Sequence, residues 1–173
     1  FADQGSGFMP YDAFVHLEQA DSEQPFILPA NLTRYRFLLE HATPNNPDAL
    51  PVGFARHEDD VGLTCAACHT GQINYQGTAV RIDGAPGLID MIGFFTAVRA
   101  SITATLADEA KLARYVAALG GRGNEAERTT AARESLTTTG RWFESYLTVN
   151  RATTTEGFAR LDAVGRIVNQ VIR

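Results

Sequence analysis

The chain has 173 residues, of which 45% are hydrophobic and 20% charged, and its formal net charge is −5. This length favours one domain, and the composition excludes a disordered chain, a collagen-like repeat and a disulfide-dense scaffold. The acidic balance argues against nucleic acid as a partner, because phosphate binding needs clustered basic side chains. The apolar region 84–98 is interrupted by Asp90, so no segment reaches the ~20 apolar residues of a membrane span.

Prolines dominate the first third of the chain and predict a loop-rich segment over residues 1–60. Each proline lacks an amide donor and restricts the residue before it, which excludes long helices. Two short helices fit between the prolines, at Tyr11–Gln19 and at Leu32–Glu40. Asn31 is a suitable N-cap for the second of them.

Apolar residues recur at helical spacing after this region and predict a helix over 87–106. A second helix is capped by Asp108 and ends at the following glycine-rich turn, and a third runs from Asn124 to about Val149, weakened at its centre by a glycine and a run of threonines. A fourth is predicted from about Thr155 to the end. The sequence contains no period-2 strand of convincing length, so the predicted fold class is mainly α.

One five-residue string, Cys65-Ala66-Ala67-Cys68-His69, has the C-x-x-C-H pattern of covalent c-type haem attachment. Two intervening residues on a helical turn let both thiols reach the two vinyl groups on one edge of a porphyrin. The next residue presents its imidazole to the iron, so His69 is the predicted proximal ligand. Its other ring nitrogen is expected to donate to a backbone carbonyl. The predicted cofactor is one covalently bound haem c.

Three other uses of this cysteine pair are weaker. A thioredoxin-like redox site needs a preceding strand in a βαβ setting, which the sequence does not predict. A zinc site needs four ligands, and the remaining histidines, His16, His41 and His57, are scattered along the chain. A disulfide between Cys65 and Cys68 would close a small, strained loop.

Two further residues are candidates for contacts with a haem. Arg81 is the predicted propionate contact, because it follows the motif in a turn-rich segment and a guanidinium pairs well with a carboxylate. Arg56 and Arg99 also lie near the motif in sequence, and all three arginines equally fit a solvated surface. Met91, on a predicted helix, is the candidate distal ligand, while a methionine at such a position also fits packing in the core.

The sixth iron position decides between two chemistries. A strong side-chain ligand gives an electron carrier, whereas an open position admits peroxide or dioxygen. Peroxide cleavage would in addition require a distal acid–base group. The other candidates for these roles, each of which also fits a surface or packing role, are Met9, His16, His41, His57, Glu58, Asp59, Asp60 and Gln72.

Segment 61–95, VGLTCAACHTGQINYQGTAVRIDGAPGLIDMIGFF, resembles the N-terminal haem region of the c-type cytochromes related to bacterial di-haem cytochrome c peroxidases, a group that includes the rubber oxygenases. The similarity extends upstream through MPYDAFVHLEQADSE (9–23) and PVGFARHEDD (51–60), and downstream to GFARLDAVGRIVNQ (157–170). It covers most of the chain, and its more specific parts are CHTGQ, RIDG and GFARLDAVGRI.

This resemblance implies a mainly α, cytochrome-c-like fold, export across the inner membrane and a periplasmic or extracellular location. It assigns Cys65 and Cys68 as the thioether residues and His69 as the proximal ligand. Members usually carry a second C-x-x-C-H in a C-terminal domain, which this sequence lacks. The sequence opens at Phe1 without a leader and stops inside a predicted helix, so we expect it to be part of a longer protein.

The chain is interpreted as one c-type haem domain, 1–173, with a loop-rich wrap over 1–60, a haem-attachment core over 61–106 and a helical extension over 107–173. The predicted function is electron transfer in a di-haem peroxidase-like protein, with a redox protein or a second haem domain as partner. A haem peroxidase or oxygenase reaction at this haem is the alternative. A further alternative is that the chain is a subunit of a multi-haem electron-conducting assembly and therefore forms an oligomer.

Overall fold

The computed structural model describes residues 7–151 and Phe158. The strands in this part of the chain are β1 (Met9–Pro10), β2 (Phe54–His57), β3 (Asp60–Leu63), β4 (Thr70–Tyr75) and β5 (Thr78–Asp83). The helices are α1 (Tyr11–Val15), α2 (Pro29–Leu32) followed by a 3-10 turn at Thr33–Tyr35, α3 (Cys65–Cys68), α4 (Met91–Ala107), α5 (Glu109–Leu119) and α6 (Glu125–Val149).

The described residues form two small antiparallel sheets, so the predicted mainly α, cytochrome-c-like fold class is wrong and the fold is mixed α/β. One sheet has the strand order β1-β3-β2, and the other is the β4–β5 hairpin. The reason for the error is local. Each hairpin strand has only six residues, so its alternation of apolar and polar side chains is short beside the long helical pattern that follows.

The two short helices predicted in the first third are also corrected. The segment Tyr11–Gln19 is helical only over its first five residues, as α1. The second begins earlier than predicted, at Pro29, which suits the first turn of a helix because its missing amide is not needed there. It ends at Arg36, whose φ of 63° is left-handed, so the predicted helix Leu32–Glu40 is wrong beyond that residue.

The second and third predicted helices are confirmed, and both begin at their predicted caps. The Asp108 carboxylate accepts hydrogen bonds from the first turn of α5. At the start of α6, Asn124 and Glu127 form a reciprocal capping box, and the helix continues to Val149 as predicted. The fourth helix, predicted from about Thr155, lies outside the described residues.

The helix predicted over 87–106 is confirmed but begins later, at Met91. Asp90 is its N-cap and accepts a hydrogen bond from the Gly93 amide at 2.8 Å. A Cβ at Gly93 would lie 2.2 Å from the Asp90 carboxylate, so a residue without a side chain is required for this cap. The preceding residues are thereby left as a loop that returns to the motif.

Helices α4 and α6 pack through aromatic side chains, such as Phe95 and Phe143, and also through small ones. Ser101 and Thr105 of α4 and Thr139 of α6 are buried, and a Cβ at Gly140 would touch the Ile102 side chain at 3.4 Å. Gly140, which is unfavourable in an isolated helix, therefore lies in the contact between these two helices.

An aromatic core joins the N-terminal third to the helices. Phe94 of α4 is fully buried at its centre. The rings around Phe94, with centroids 4.9–6.2 Å from it, belong to Phe8, Phe14, Phe26, Tyr35, Phe37, Phe54 and Phe95. Most of these partners come from the loop-rich region, so side-chain packing substitutes there for regular secondary structure.

A partly buried ionic cluster also connects the N-terminal third to α5. The Lys111 ammonium donates to the Glu18 carboxylate at 3.1 Å and to the Gln19 carbonyl at 2.9 Å. The Arg114 guanidinium binds both oxygens of the same carboxylate, at 2.6 and 2.8 Å. The hydrogen bonds from Arg114, and then from Lys111, hold the pKa of Glu18 below its ordinary value although burial opposes this.

Candidate functional site

The C-x-x-C-H motif forms a single helical turn, α3, directly after the buried strand β3. Thr64 is the N-cap, and its hydroxyl accepts a hydrogen bond from the Ala66 amide at 3.3 Å. The His69 amide closes the turn by donating to the Cys65 carbonyl at 2.8 Å. The backbone then leaves the helix at His69, whose φ and ψ are −125° and 36°.

The inner side of this turn rests on the core through Ala67. This alanine is 4% exposed, and the backbone at Gly53 lies directly against it. A Cβ at Gly53 would be 2.1 Å from the Ala67 nitrogen, and the φ of Gly53 is 87°. Only glycine satisfies both conditions. The Gly53 carbonyl also accepts a hydrogen bond from the Thr64 amide at 2.7 Å, which fixes the start of the motif.

The loop that precedes α4 holds the end of the turn. The Gly84 amide donates to the His69 carbonyl and the Gly87 amide donates to the Cys68 carbonyl, each at 2.7 Å. Gly87 is buried, and a Cβ there would lie 3.0 Å from the same Cys68 oxygen. The backbone of the motif is therefore fixed from both sides by the main chain of neighbouring segments.

The outer side of the turn is open to solvent. Cys65 and His69 are exposed and Cys68 is partly buried. One exposed and one partly buried cysteine on a single turn, followed at once by an exposed histidine, are the residue types in the spacing that a covalently attached haem requires. The residues present therefore fit this group.

The β4–β5 hairpin leaves directly from the motif. Its strands are joined by Gln76 and Gly77, which have φ values of 47° and 81°, as a two-residue type I′ turn requires. Because side chains alternate across a strand, the apolar side chains of the hairpin lie together on one face. We call this the hairpin apolar face and define it as Ile73, Tyr75, Val80 and Ile82.

The opposite face of the hairpin is polar and holds Arg81, the predicted propionate contact. Its guanidinium forms an ion pair with Glu40 and a hydrogen bond to the Leu39 carbonyl. It also donates to Gln72 across the hairpin at 3.4 Å. Arg81 thus joins the hairpin to the segment that follows the 3-10 turn.

The other two arginines near the motif in sequence have partners elsewhere. Arg56 lies over the Tyr11 ring at 4.6 Å and within 4.0 Å of the Asp12 carboxylate. Arg99 forms an ion pair with Glu144 of α6.

Met91, the candidate distal ligand, is the first residue of α4 and packs, partly buried, against the aromatic core. Met9 lies in β1 and is buried. The remaining histidines, His16, His41 and His57, are all exposed on the N-terminal third. Within residues 7–151, no group of three or more His, Cys, Asp and Glu side chains is placed to hold a metal ion.

Several residues that shape the site carry no reactive group. Gly53, Gly84 and Gly87 position the motif, and the hairpin presents an apolar surface beside it. The Gln76-Gly77 pair is a hairpin signal in the sequence. The contact between Gly53 and Ala67 has no such signal, because it depends on how β2 and α3 meet in space.

The chain is similar to the uncharacterized protein y4iJ of Sinorhizobium fredii, with 34% identity over an alignment of 200 positions, gaps included. The alignment covers 98% of this chain and 33% of that protein, so the chain spans about a third of the length of this relative. No family model matches the chain. No solved structure matches it either.

Not one of the helices within the described residues combines the length and the apolar character needed to cross a bilayer.

Proposed function

We propose that this chain is a c-type haem domain that transfers electrons, with the haem bound through Cys65 and Cys68 and its iron through His69. The observation that supports this most directly is the helical turn that carries all three groups, with Cys65 and His69 exposed and Cys68 partly buried. Its backbone is held by hydrogen bonds from Gly84 and Gly87, so little reorganisation is needed when the cofactor binds.

Each thiol has a defined chemical role in this proposal. Cys65 and Cys68 would hold the haem by adding their S–H bonds across its two vinyl groups, each forming one carbon–sulfur bond and giving its thiol hydrogen to the other vinyl carbon. No oxidant and no leaving group are involved. Residues three apart on a helical turn lie on one face, so α3 would present both cysteines to the single porphyrin edge that carries the two vinyl groups.

His69 orients and tunes the group. Its imidazole would hold the iron through one ring nitrogen, and a hydrogen bond from the other would set the basicity of the ligand. When bound, the haem supplies reversible one-electron exchange. The exposure of Cys65 and His69 leaves one edge of the site accessible to a redox protein or a second haem domain.

The resemblance to the di-haem cytochrome c peroxidase-like proteins supports the same proposal. It covers the motif and the segments before and after it, and it implies attachment of the haem outside the cytoplasm. We therefore propose a periplasmic or extracellular location for the protein.

Intact mass measurement tests the proposal. The chain is produced with export to a compartment where haem is attached, then denatured and weighed. We expect the mass of the polypeptide plus one haem, and no haem on the Cys65→Ala/Cys68→Ala variant. His69→Ala should keep the thioether bonds but change the optical spectrum of the iron. Wild-type chains without any bound haem under these conditions would refute the proposal.

A second candidate function, peroxide or dioxygen chemistry at this haem, is favoured by one observation. Met91 packs against the aromatic core, whereas His69 is exposed, and a methionine engaged in the core is less available to the iron. Carbon monoxide binding to the ferrous protein distinguishes the two functions. Fast binding, equal in the wild type and Met91→Leu, favours the enzyme, while binding that requires Met91→Leu favours the electron carrier.

A further inference from the structure

The polar face of the hairpin contacts the protein and its apolar face contacts solvent, which is the reverse of the usual arrangement in a sheet. Its polar face is the one tied to the rest of the protein, through Arg81 and Glu40. Its apolar face lies in solvent, with Ile73, Tyr75, Val80 and Ile82 exposed by 56%, 66%, 43% and 44%. A sheet normally turns its apolar face inward. A contiguous apolar surface of this kind marks a binding site.

Two strands alone are marginally stable in water, and the described contacts of this hairpin concentrate at its base and on its polar face. The base is closed by the Thr70–Asp83 pair and by the hydrogen bond from Gly84 to His69. The position of the hairpin is therefore set by the motif itself. Whatever the motif binds has the hairpin beside it.

Strand geometry places the hairpin apolar face within reach of a group bound to His69. Gly71 follows His69 by two residues, so it lies about 7 Å from His69 at the usual rise of a strand. Ile82 is its partner across the hairpin, at about 5 Å. Ala85 and Pro86 lie against Gly71 on this face, so the accessible surface begins at Ile82 and continues to the Ile73–Val80 pair.

We propose that the hairpin apolar face covers the porphyrin held by Cys65, Cys68 and His69. This inference rests on the proposed function. The macrocycle is a flat, largely apolar disc, which is the chemistry that the exposed side chains of this face recognise. Leu88, 58% exposed in the loop that binds the Cys68 carbonyl, adds to the same apolar surroundings.

Covering the haem in this way has a measurable consequence. An apolar wall excludes water and lowers the local polarity, and these are the properties that set the reduction potential of a bound haem. The more highly charged ferric form is stabilised by water. Opening the wall should therefore lower the potential, whereas the covalent attachment should be unaffected.

The test compares two double variants of the haem-loaded chain. Ile73→Thr/Val80→Thr changes a directly opposed pair on the hairpin apolar face, and Asn74→Thr/Ala79→Thr changes the adjacent pair on the polar face. Threonine suits a strand in all four positions. We expect a lower potential for the first variant only, with one haem per chain in both.

Each outcome of this test is decisive. Equal potentials for the wild type and the apolar-face variant, with haem attached, would overturn this proposal and leave the proposed function standing. The same holds if the wild type is a dimer that the variant dissociates without a change in potential, because a second copy would then cover the face. A wild type without haem would overturn both proposals.

Hydrogen exchange gives a second measurement if the apolar-face variant does not fold. Amide exchange in residues 71–83 is compared between the haem-loaded wild type and the Cys65→Ala/Cys68→Ala chain. We expect slower exchange in the loaded protein at the hairpin, by more than in α6. A hairpin that exchanges equally fast in both proteins would overturn the proposal.

Discussion

Two regions of the protein are stabilised in different ways. One is the body, by which we mean the N-terminal third and helices α4–α6; the other is segment 64–90, which carries the motif. In the body, side chains pack around Phe94 and converge on the Glu18 carboxylate. In segment 64–90, main-chain hydrogen bonds and glycines fix the backbone, while Cys65 and His69 remain exposed. The difference teaches that packing specifies the scaffold and backbone geometry specifies the candidate site, which leaves the reactive side chains available for a cofactor.

The largest expected effect contrasts the two regions directly. Phe94→Ala should lower the free energy of unfolding by about 3–5 kcal/mol, because it leaves a cavity among aromatic rings. Ile73→Ala, in the exposed hairpin, should change it by about 0.5 kcal/mol or less. Both are measured by urea unfolding in the Cys65→Ala/Cys68→Ala background, so that bound haem does not contribute. Equal losses for the two variants would break the comparison.

Alanine substitutions at Gly53 and Gly77 distinguish the stability cost of a steric clash from the cost of an unfavourable backbone conformation. Gly53→Ala combines a φ of 87° with a clash against Ala67, and should lower the free energy of unfolding by about 2–4 kcal/mol. Gly77→Ala has a similar φ of 81° but open space around its Cβ, and should cost about 1 kcal/mol. Gly53→Ala should also reduce haem attachment. If the two substitutions cost the same, the proposed support of the motif by Gly53 is incorrect.

Acid should weaken the body through Glu18. Its folded pKa lies below the ordinary value of 4.5, chiefly because Arg114 hydrogen-bonds the carboxylate. The resulting stabilisation is complete above the unfolded pKa and is lost as the pH falls through the folded one. We expect the free energy of unfolding to decrease below about pH 4.5, and this decrease to be smaller in Glu18→Gln.

Removing Arg114 provides the control for this pH dependence. Arg114→Gln takes away the main cause of the lowered pKa but keeps the carboxylate and Lys111 in place. The acid-induced decrease should therefore be intermediate between those of the wild type and Glu18→Gln. An unchanged pH dependence in both variants would show that Glu18 does not couple folding to protonation.

The smallest expected effect compares two helix caps. Asn124→Ala removes the capping box of α6 and should lower the free energy of unfolding by about 1 kcal/mol without changing haem content. Thr64→Ala removes a longer hydrogen bond, 3.3 Å, and should cost less stability. It should nevertheless reduce the fraction of chains with two thioether bonds, because it loosens the turn that aligns Cys65 and Cys68. Equal haem content in both variants would contradict this.

The parts of the fold that follow from local chemistry were predictable from the sequence. Asp108 and Asn124 mark helix starts because their side chains accept from the next amides, and the C-x-x-C-H spacing locates the candidate site. The hairpin had a local signal at Gln76-Gly77, but its alternation is short and its apolar face is not buried by the described protein. A mixed fold was therefore not favoured over a mainly α fold.

Other features depend on contacts between distant positions and could not be predicted in this way. Lys111 is buried because Glu18, 93 residues away in the chain, accepts from its ammonium group. Likewise, Gly140 is unfavourable within an isolated helix, and its neighbours along the chain do not indicate that it lies against Ile102 of α4. Neither of these two contacts can be predicted from the pattern of residues close to them in the sequence.

The central claim is tested most directly on one tryptic fragment. Cleavage after Arg56 and Arg81 releases residues 57–81, which contain both cysteines and His69. Two thioether bonds predict that this fragment carries the full mass of one haem, since each thiol adds without losing an atom. A fragment isolated from the exported protein with its two cysteines unmodified, or joined to each other, would contradict the account.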